Sequence, residues 1–131
     1  MAKLLFLFAA MNGVIVVIVG AFGAHALKGK ISNSLLSAYQ TGTYYHMFHV
    51  LALMCLALLL SRLSTTPLSL TPSILSIAGY LWMTGIVLFS GSLYGLALGG
   101  PSWLGPATPI GGTLLIAGWV CLSIGVMKVS L

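Results

Sequence analysis

The sequence predicts an all-α integral membrane protein: a bundle of four transmembrane helices with a short amphipathic surface helix between the first two. Of its 131 residues, 60% are hydrophobic and 4% are charged, whereas soluble proteins carry roughly 25% charged residues. The apolar residues form four runs, each near the roughly 20 residues that a helix needs to cross a bilayer. The length fits a single domain over residues 1–131.

The first apolar run predicts a transmembrane helix over residues 4–24, because it is longer than the roughly 7–15 apolar residues of a secretory signal peptide. The following segment, 31–43, is polar, but Ile31, Leu35 and Tyr39 recur in it at every fourth residue. This spacing fits either a short amphipathic helix on the membrane surface or an ordinary helical turn outside the membrane. Gly42 is expected to end it.

Three further apolar runs predict helices over residues 44–61, 74–98 and 110–127. The segments between them, 64–73 and 99–109, are rich in proline and therefore indicate loops. Four spans place both termini on the same side of the membrane. That side carries Lys3, Arg62 and Lys128, against Lys28 and Lys30 on the other. This small excess of positive charge favours cytoplasmic termini.

The composition excludes several kinds of chemistry. With no Asp or Glu in the chain, paired-carboxylate catalysis, His–Asp relays and carboxylate cages for Mg²⁺ or Ca²⁺ are ruled out. Cys55 and Cys121 lack the spacing of a metal or redox motif. The net charge of +5 comes from scattered cations at helix ends and does not form a nucleic-acid patch. We therefore expect neither enzymatic activity nor a nucleic-acid partner.

Glycines are expected to pack the helices, because association in lipid depends on close backbone contact. Small residues recur at spacings of four or seven along three of the predicted helices. The expected packing residues are Gly13, Gly20, Gly91, Gly95, Gly111, Gly118 and Gly125. Such stripes pack helices within one chain or between copies, so a homo-oligomer or a larger membrane complex is an expected state.

Polar side chains converge on the half of the predicted bundle that carries the connection between helices one and two. On helix two, His46 and His49 are three residues apart and are expected to share a face. Ser90 and Tyr94 are four apart on helix three. The full candidate pocket comprises His25, His46, His49, Ser90, Ser92, Tyr94 and Thr108.

Four interpretations of this polar cluster are open. The side chains satisfy one another through interhelical hydrogen bonds, or they line an outward-facing pocket or pathway for a lipid headgroup, a small solute or protons. Alternatively, His25 and His49 bind haem, or Met47 and two histidines bind copper, although the spacing supports either only weakly. A His–Ser or His–Tyr catalytic pair is the fourth, but it would have no carboxylate to orient it.

From these alternatives we expect a non-enzymatic scaffold or lipid-interacting protein with an outward-facing polar pocket. Its expected partners are membrane lipids, with no cofactor and no metal. The main alternative is a small channel or transporter for a proton or a small solute, which would use His25 and His49.

Five strings resemble, in order and spacing, a family of small bacterial inner-membrane proteins of unknown function. They are GAFGAH (20–25), YQTGTYYHMFHVLAL (39–53), LFSGSLY (88–94), TPIGG (108–112) and AGW (117–119). The resemblance spans residues from about 9 to 127, and vertebrate transmembrane protein 256 looks like a relative. It implies four membrane helices with cytoplasmic termini in a bacterial inner membrane. It implies no activity and assigns no site residue.

Overall fold

The computed structural model describes residues 1–63 and 71–128, and this part of the chain is built from four long helices without a strand. They are α1 (Ala2–Phe22), α2 (Asn33–Leu63), α3 (Thr71–Ala97) and α4 (Leu104–Met127), with a π-helical turn, Gly23–Leu27, extending α1. All four are long and apolar enough to cross a membrane. The predicted fold class, an all-α bundle of four transmembrane helices, is confirmed.

Helix α2 differs from the prediction because it is one continuous helix of 31 residues. Residues 33–43 are helical, but the prediction of a separate surface helix is wrong, since these residues continue without a break into the membrane span. Gly42 does not end a helix. It is buried where α2 crosses α3, and a Cβ atom there would lie 3.2 Å from Cε1 of Tyr94. Tyr39, the last residue of the four-residue spacing, packs against Gly23 of the π-helical turn rather than on the membrane surface.

The ends of α3 and α4 also differ from the predicted bounds. Helix α3 begins at Thr71 rather than 74, and residues 64–70 of the predicted loop lie outside the described residues. Helix α4 begins at Leu104, six residues before the predicted start. Pro106 is compatible with this start because it lies in the first turn, where a backbone N–H has no partner within the helix.

Neighbouring helices pack in chain order and run antiparallel: α1 on α2, α2 on α3, and α3 on α4. The core lies where α1, α2 and α3 meet. Its completely buried side chains include Leu5 of α1, Leu53 of α2, and Leu75 and Trp82 of α3. Helix α4 packs on the side of α3 that faces away from α1, and it stands apart from α2. An open groove therefore runs between α2 and α4.

The contact between α3 and α4 follows a seven-residue spacing on both helices. Gly111, Gly118 and Gly125 of α4 lie against Phe89, Trp82 and Leu75 of α3, respectively. Any Cβ atom at these glycines would collide with the opposing residue. The Trp82 indole is completely buried and its Nε1 donates a hydrogen bond of 3.2 Å to the Leu115 carbonyl. The helices α3 and α4 therefore approach closely along this contact.

The other glycines that the sequence predicts to pack the helices are in looser contact, and Gly91 packs against nothing. The nearest heavy atom to a Cβ at Gly13 would be Val50 Cγ1 at 4.0 Å, and at Gly20 it would be Thr43 Cγ2 at 3.6 Å. A Cβ at Gly95 would lie 2.6 Å from Leu104 Cδ1. Gly91 has nothing within 4 Å, so a packing role within the described chain is wrong for this residue. It lies about 200° around α3 from Phe89 and so faces away from α4.

We expect Gly111→Ala to lower the free energy of unfolding by about 1–3 kcal/mol, as overpacking does. The new Cβ would meet backbone atoms of Phe89, which no side-chain rotation can relieve, so the helices would have to separate. Gly91→Ala is the matched control, because the same atom enters open space. Reversible unfolding in mixed detergent micelles, followed by tryptophan fluorescence, measures both. Equal effects of the two substitutions would contradict the close α3–α4 contact.

Candidate functional site

The structure does not bring the seven candidate pocket residues into one pocket. His25 is exposed in the π-helical turn and contacts neither of the other histidines in residues 1–63 and 71–128. His46 and His49 are each only 3% exposed. Although they are three residues apart, their rings point into different helix interfaces, so the shared site expected from their spacing is wrong.

His46 links three helices through a chain of hydrogen bonds. Its Nδ1 lies 3.2 Å from the Tyr94 hydroxyl of α3, and its Nε2 lies 3.0 Å from Oδ1 of Asn12 in α1. The Asn12 amide in turn donates to the Phe8 carbonyl at 2.9 Å. A neutral imidazole satisfies every member of this chain, because Tyr94 donates to Nδ1 while the Nε2–H donates to Asn12. We call it the His46 network.

His49 points toward α4 and is also hydrogen-bonded at both ring nitrogens. Its Nδ1 lies 2.8 Å from the Tyr45 carbonyl, and Nε1 of Trp119 donates to its Nε2 at 3.1 Å. The indole N–H can donate only to an unprotonated nitrogen, so the geometry specifies the neutral ring with its proton on Nδ1. This side-chain hydrogen bond joins α2 to α4.

The hydroxyl residues of α3 form a separate group. Ser92 Oγ lies 2.7 Å from Thr108 Oγ1 of α4 and donates to the Phe89 carbonyl at 2.9 Å. Ser90 is only 1% exposed, and its Oγ has no hydrogen-bond partner in the part of the chain that the structure describes. Ser90 and Tyr94 therefore do not act as a hydrogen-bonded pair, although they are four residues apart.

Two cavities of about 680 and 450 Å³ lie in the space between α2 and α4. Phe48 and Trp119 line both of them, so the cavities adjoin each other, and we call them together the α2–α4 groove. Its α4 wall extends from Gly112 to Val126, a rise of about 21 Å. That length is about two thirds of the roughly 30 Å hydrocarbon core of a bilayer. The other lining residues are Tyr44, Tyr45, Met47, His49, Leu51, Ala52, Cys55, Leu56, Leu59, Trp82, Phe89, Leu115, Ile116 and Leu122.

The walls of the α2–α4 groove are aromatic and almost wholly apolar. Trp82 and Trp119 lie with ring centroids 4.7 Å apart, and Phe48 lies 5.7 Å from Trp119. The polar ring atoms of His49 and Trp119 bond to each other, so neither presents a free donor or acceptor to the groove. An apolar ligand is therefore the chemical match for this surface.

The groove is not among the sequence-based predictions above. One signal was present: Tyr44, Phe48, Leu51 and Cys55 form a single stripe on α2. A stripe shows which face of a helix is apolar, but it does not show how far away the next helix lies.

The structure offers little support for a metal or haem at the histidines. In residues 1–63 and 71–128, no group of three or more His or Cys residues is placed to hold a metal ion. Both ring nitrogens of His46 and of His49 already have partners. The expectation of no cofactor stays a prediction.

Comparison with known proteins identifies relatives along nearly the whole chain. A family described as a protein of unknown function (DUF423) matches residues 19–112. UPF0382 membrane protein YwdK of Bacillus subtilis is 41% identical over 126 residues, covering 96% of this chain and 98% of the relative. UPF0382 membrane protein SAB0533 of Staphylococcus aureus is 43% identical and covers 96% of this chain and 97% of the relative. No solved structure matches.

We expect Tyr94→Phe and Asn12→Leu each to lower the stability of the bundle by about 0.5–2 kcal/mol, the range for hydrogen bonds between membrane helices. Each removes one partner of the same imidazole, so the effects should not add when the two substitutions are combined. A double-mutant cycle of unfolding in detergent micelles measures the coupling. Strict additivity would show that the His46 network does not act as a unit.

Proposed function

Since this chain belongs to the DUF423 family of membrane proteins of unknown function, we propose a function from its own geometry: it binds the hydrocarbon chain of a membrane lipid in the α2–α4 groove. The observation that carries the proposal is the aromatic, 21 Å-long groove (about 14 residues of α4) between two membrane-spanning helices. The protein acts as a lipid-interacting membrane scaffold without enzymatic activity.

The position of the groove supports a lipid as the ligand. Both walls belong to helices able to cross the bilayer, so the groove opens sideways into the hydrocarbon region, where lipid chains are at high concentration. Rigid aromatic side chains form its floor and do not have to be ordered when a ligand binds, which lowers the entropic cost of binding. The proposed binding site is therefore the α2–α4 groove and not the polar pocket expected from the sequence.

The histidine geometry favours lipid binding over the alternative of a channel or transporter. A proton or solute pathway through His25 and His49 needs both rings on a continuous water-accessible path. His49 is 3% exposed and bonded at both nitrogens, while His25 lies apart on the surface. We interpret His46 and His49 as residues that hold the helices in place.

We further propose that the protein lies in a bacterial inner membrane with both termini in the cytoplasm. The distribution of charge supports this orientation, because three of the five cations lie on the side of the termini, as the positive-inside rule favours. The location in a bacterial membrane is supported by the relatives named above, which are bacterial membrane proteins. A homo-oligomer is compatible with the large apolar surface that the described helices leave exposed.

We expect Gly112→Trp to reduce lipid retention roughly tenfold, which requires a loss of only about 1.4 kcal/mol of binding free energy. A Cβ at Gly112 would lie 3.6 Å from Phe89 Cδ2, an ordinary contact, so the helix can accept the residue while the indole fills the groove. Native mass spectrometry of protein released gently from its membrane counts the lipid retained. Gly112→Leu is a milder second variant.

Gly91→Trp is the control, because Gly91 faces open space on α3 and does not line the groove. Its lipid retention should match that of the unsubstituted protein, with similar unfolding midpoints for all variants. The proposal fails if the unsubstituted protein retains no lipid. It also fails if the two tryptophan variants lose lipid equally.

A further inference from the structure

A third cavity of about 220 Å³ lies between the end of α1 and α2. Gly20 and Gly23 form one side of it, and Gln40, Thr43 and Tyr44 the other. It is smaller than the roughly 300 Å³ at which pockets for drug-sized ligands begin. The cavity therefore suits a compact group, and we call it the α1–α2 cavity.

The π-helical turn Gly23–Leu27 shapes this cavity. Tyr39 packs directly on Gly23, where a Cβ would lie 2.6 Å from Cε1 of the ring, and its hydroxyl donates to the Val19 carbonyl at 2.7 Å. The Tyr39 ring thus fills the space that a side chain at position 23 would need. The backbone of Gly23 itself lines the cavity. Departures from α-helical winding of this kind occur frequently at functional sites.

Two polar groups in the cavity wall have no hydrogen-bond partner within residues 1–63 and 71–128: the Gln40 amide and the Tyr44 hydroxyl. They supply N–H and O–H donors. The Thr43 hydroxyl donates to the Tyr39 carbonyl at 3.1 Å, so its proton is not available to a ligand. Phosphate oxygens are the acceptors that such donors bind strongly.

Two lysines follow the cavity-lining turn in the sequence. Lys28 comes four residues after the lining residue Ala24, directly after the π-helical turn, and Lys30 follows in the same connection. Both are exposed. The chain has no Asp or Glu, so no side-chain carboxylate neutralises them. The electrostatic field at the cavity therefore favours an anion, and long lysine side chains can reach toward a headgroup.

Tyr44 connects this cavity with the α2–α4 groove, because it lies in the wall of both. Building on the proposed function, we propose that the lipid is an anionic phospholipid: its hydrocarbon chain lies in the groove, and its phosphate binds in the α1–α2 cavity beside Lys28 and Lys30. Gln40 and Tyr44 donate hydrogen bonds to the phosphate oxygens. The α2–α4 groove recognises the hydrocarbon chain of the lipid, and the α1–α2 cavity recognises the negative charge of its headgroup.

The test compares phosphatidylglycerol with phosphatidylcholine of the same chains, titrated into the full-length protein in detergent and followed by native mass spectrometry. The unsubstituted protein should prefer phosphatidylglycerol. The double variant Lys28→Gln/Lys30→Gln should lose roughly thirtyfold in affinity for it, the order expected for two lysines near an anionic headgroup. Affinity for phosphatidylcholine should change little. Gln40→Leu should weaken phosphatidylglycerol severalfold without any change in net charge.

Lys3→Gln/Lys128→Gln is the charge-matched control, because it also removes two of the five positive charges, at the other end of the bundle. An equal loss in this control overturns the inference, because bulk charge would then explain the preference. Equal binding of both lipids by the unsubstituted protein overturns the headgroup site but leaves chain binding in the groove standing. Absence of all lipid overturns both proposals. Displacement of the lipid by millimolar inorganic phosphate overturns the coupling of headgroup and chain.

Discussion

The fold depends above all on how closely α4 can approach α3. In lipid, helices gain little from hiding apolar surface, so they are held together by close van der Waals contact. Three glycines of α4 permit that contact by leaving room for the Trp82 indole and its neighbours on α3. Because this face of α4 packs against α3, the adjacent side of α4 does not pack closely against α2. The groove is thus a consequence of tight packing on the neighbouring helix.

Hydrogen bonds between side chains then set the relative positions of the other helices. The His46 network joins α1, α2 and α3, and the His49–Trp119 bond joins α2 to α4 across the groove. Since no water competes in the hydrocarbon core, each of these groups needs a protein partner. His49 thereby links the two walls of the groove while contributing no free polar atom to it. Polar residues placed inside a membrane protein can serve its shape.

The sequence predicted the class and the number of spans. These features follow from composition and from the positions of apolar runs. It did not predict how each helix is rotated about its own axis. His46 and His49 diverge because three residues correspond to about 60° of rotation, enough to place them in different interfaces. The same applies to Gly91 and Gly95, which are four residues apart. A Cβ atom at Gly95 would contact Leu104, whereas one at Gly91 would contact nothing within 4 Å. The separation of α2 from α4 depends on packing between distant residues and leaves no local pattern.

The continuity of α2 has a mechanical consequence. A helix of 31 residues is about 46 Å long, whereas the hydrocarbon core is roughly 30 Å thick, so several turns project beyond it. These turns and the wall of the groove belong to one stiff rod, which crosses α3 at Gly42. If α2 pivots at this crossing, a small tilt of its projecting end moves the part of α2 that lines the groove in the opposite direction. Tilting is one way in which a long helix adapts to membrane thickness, so a change in thickness that tilts α2 would also change the width of the space between α2 and α4.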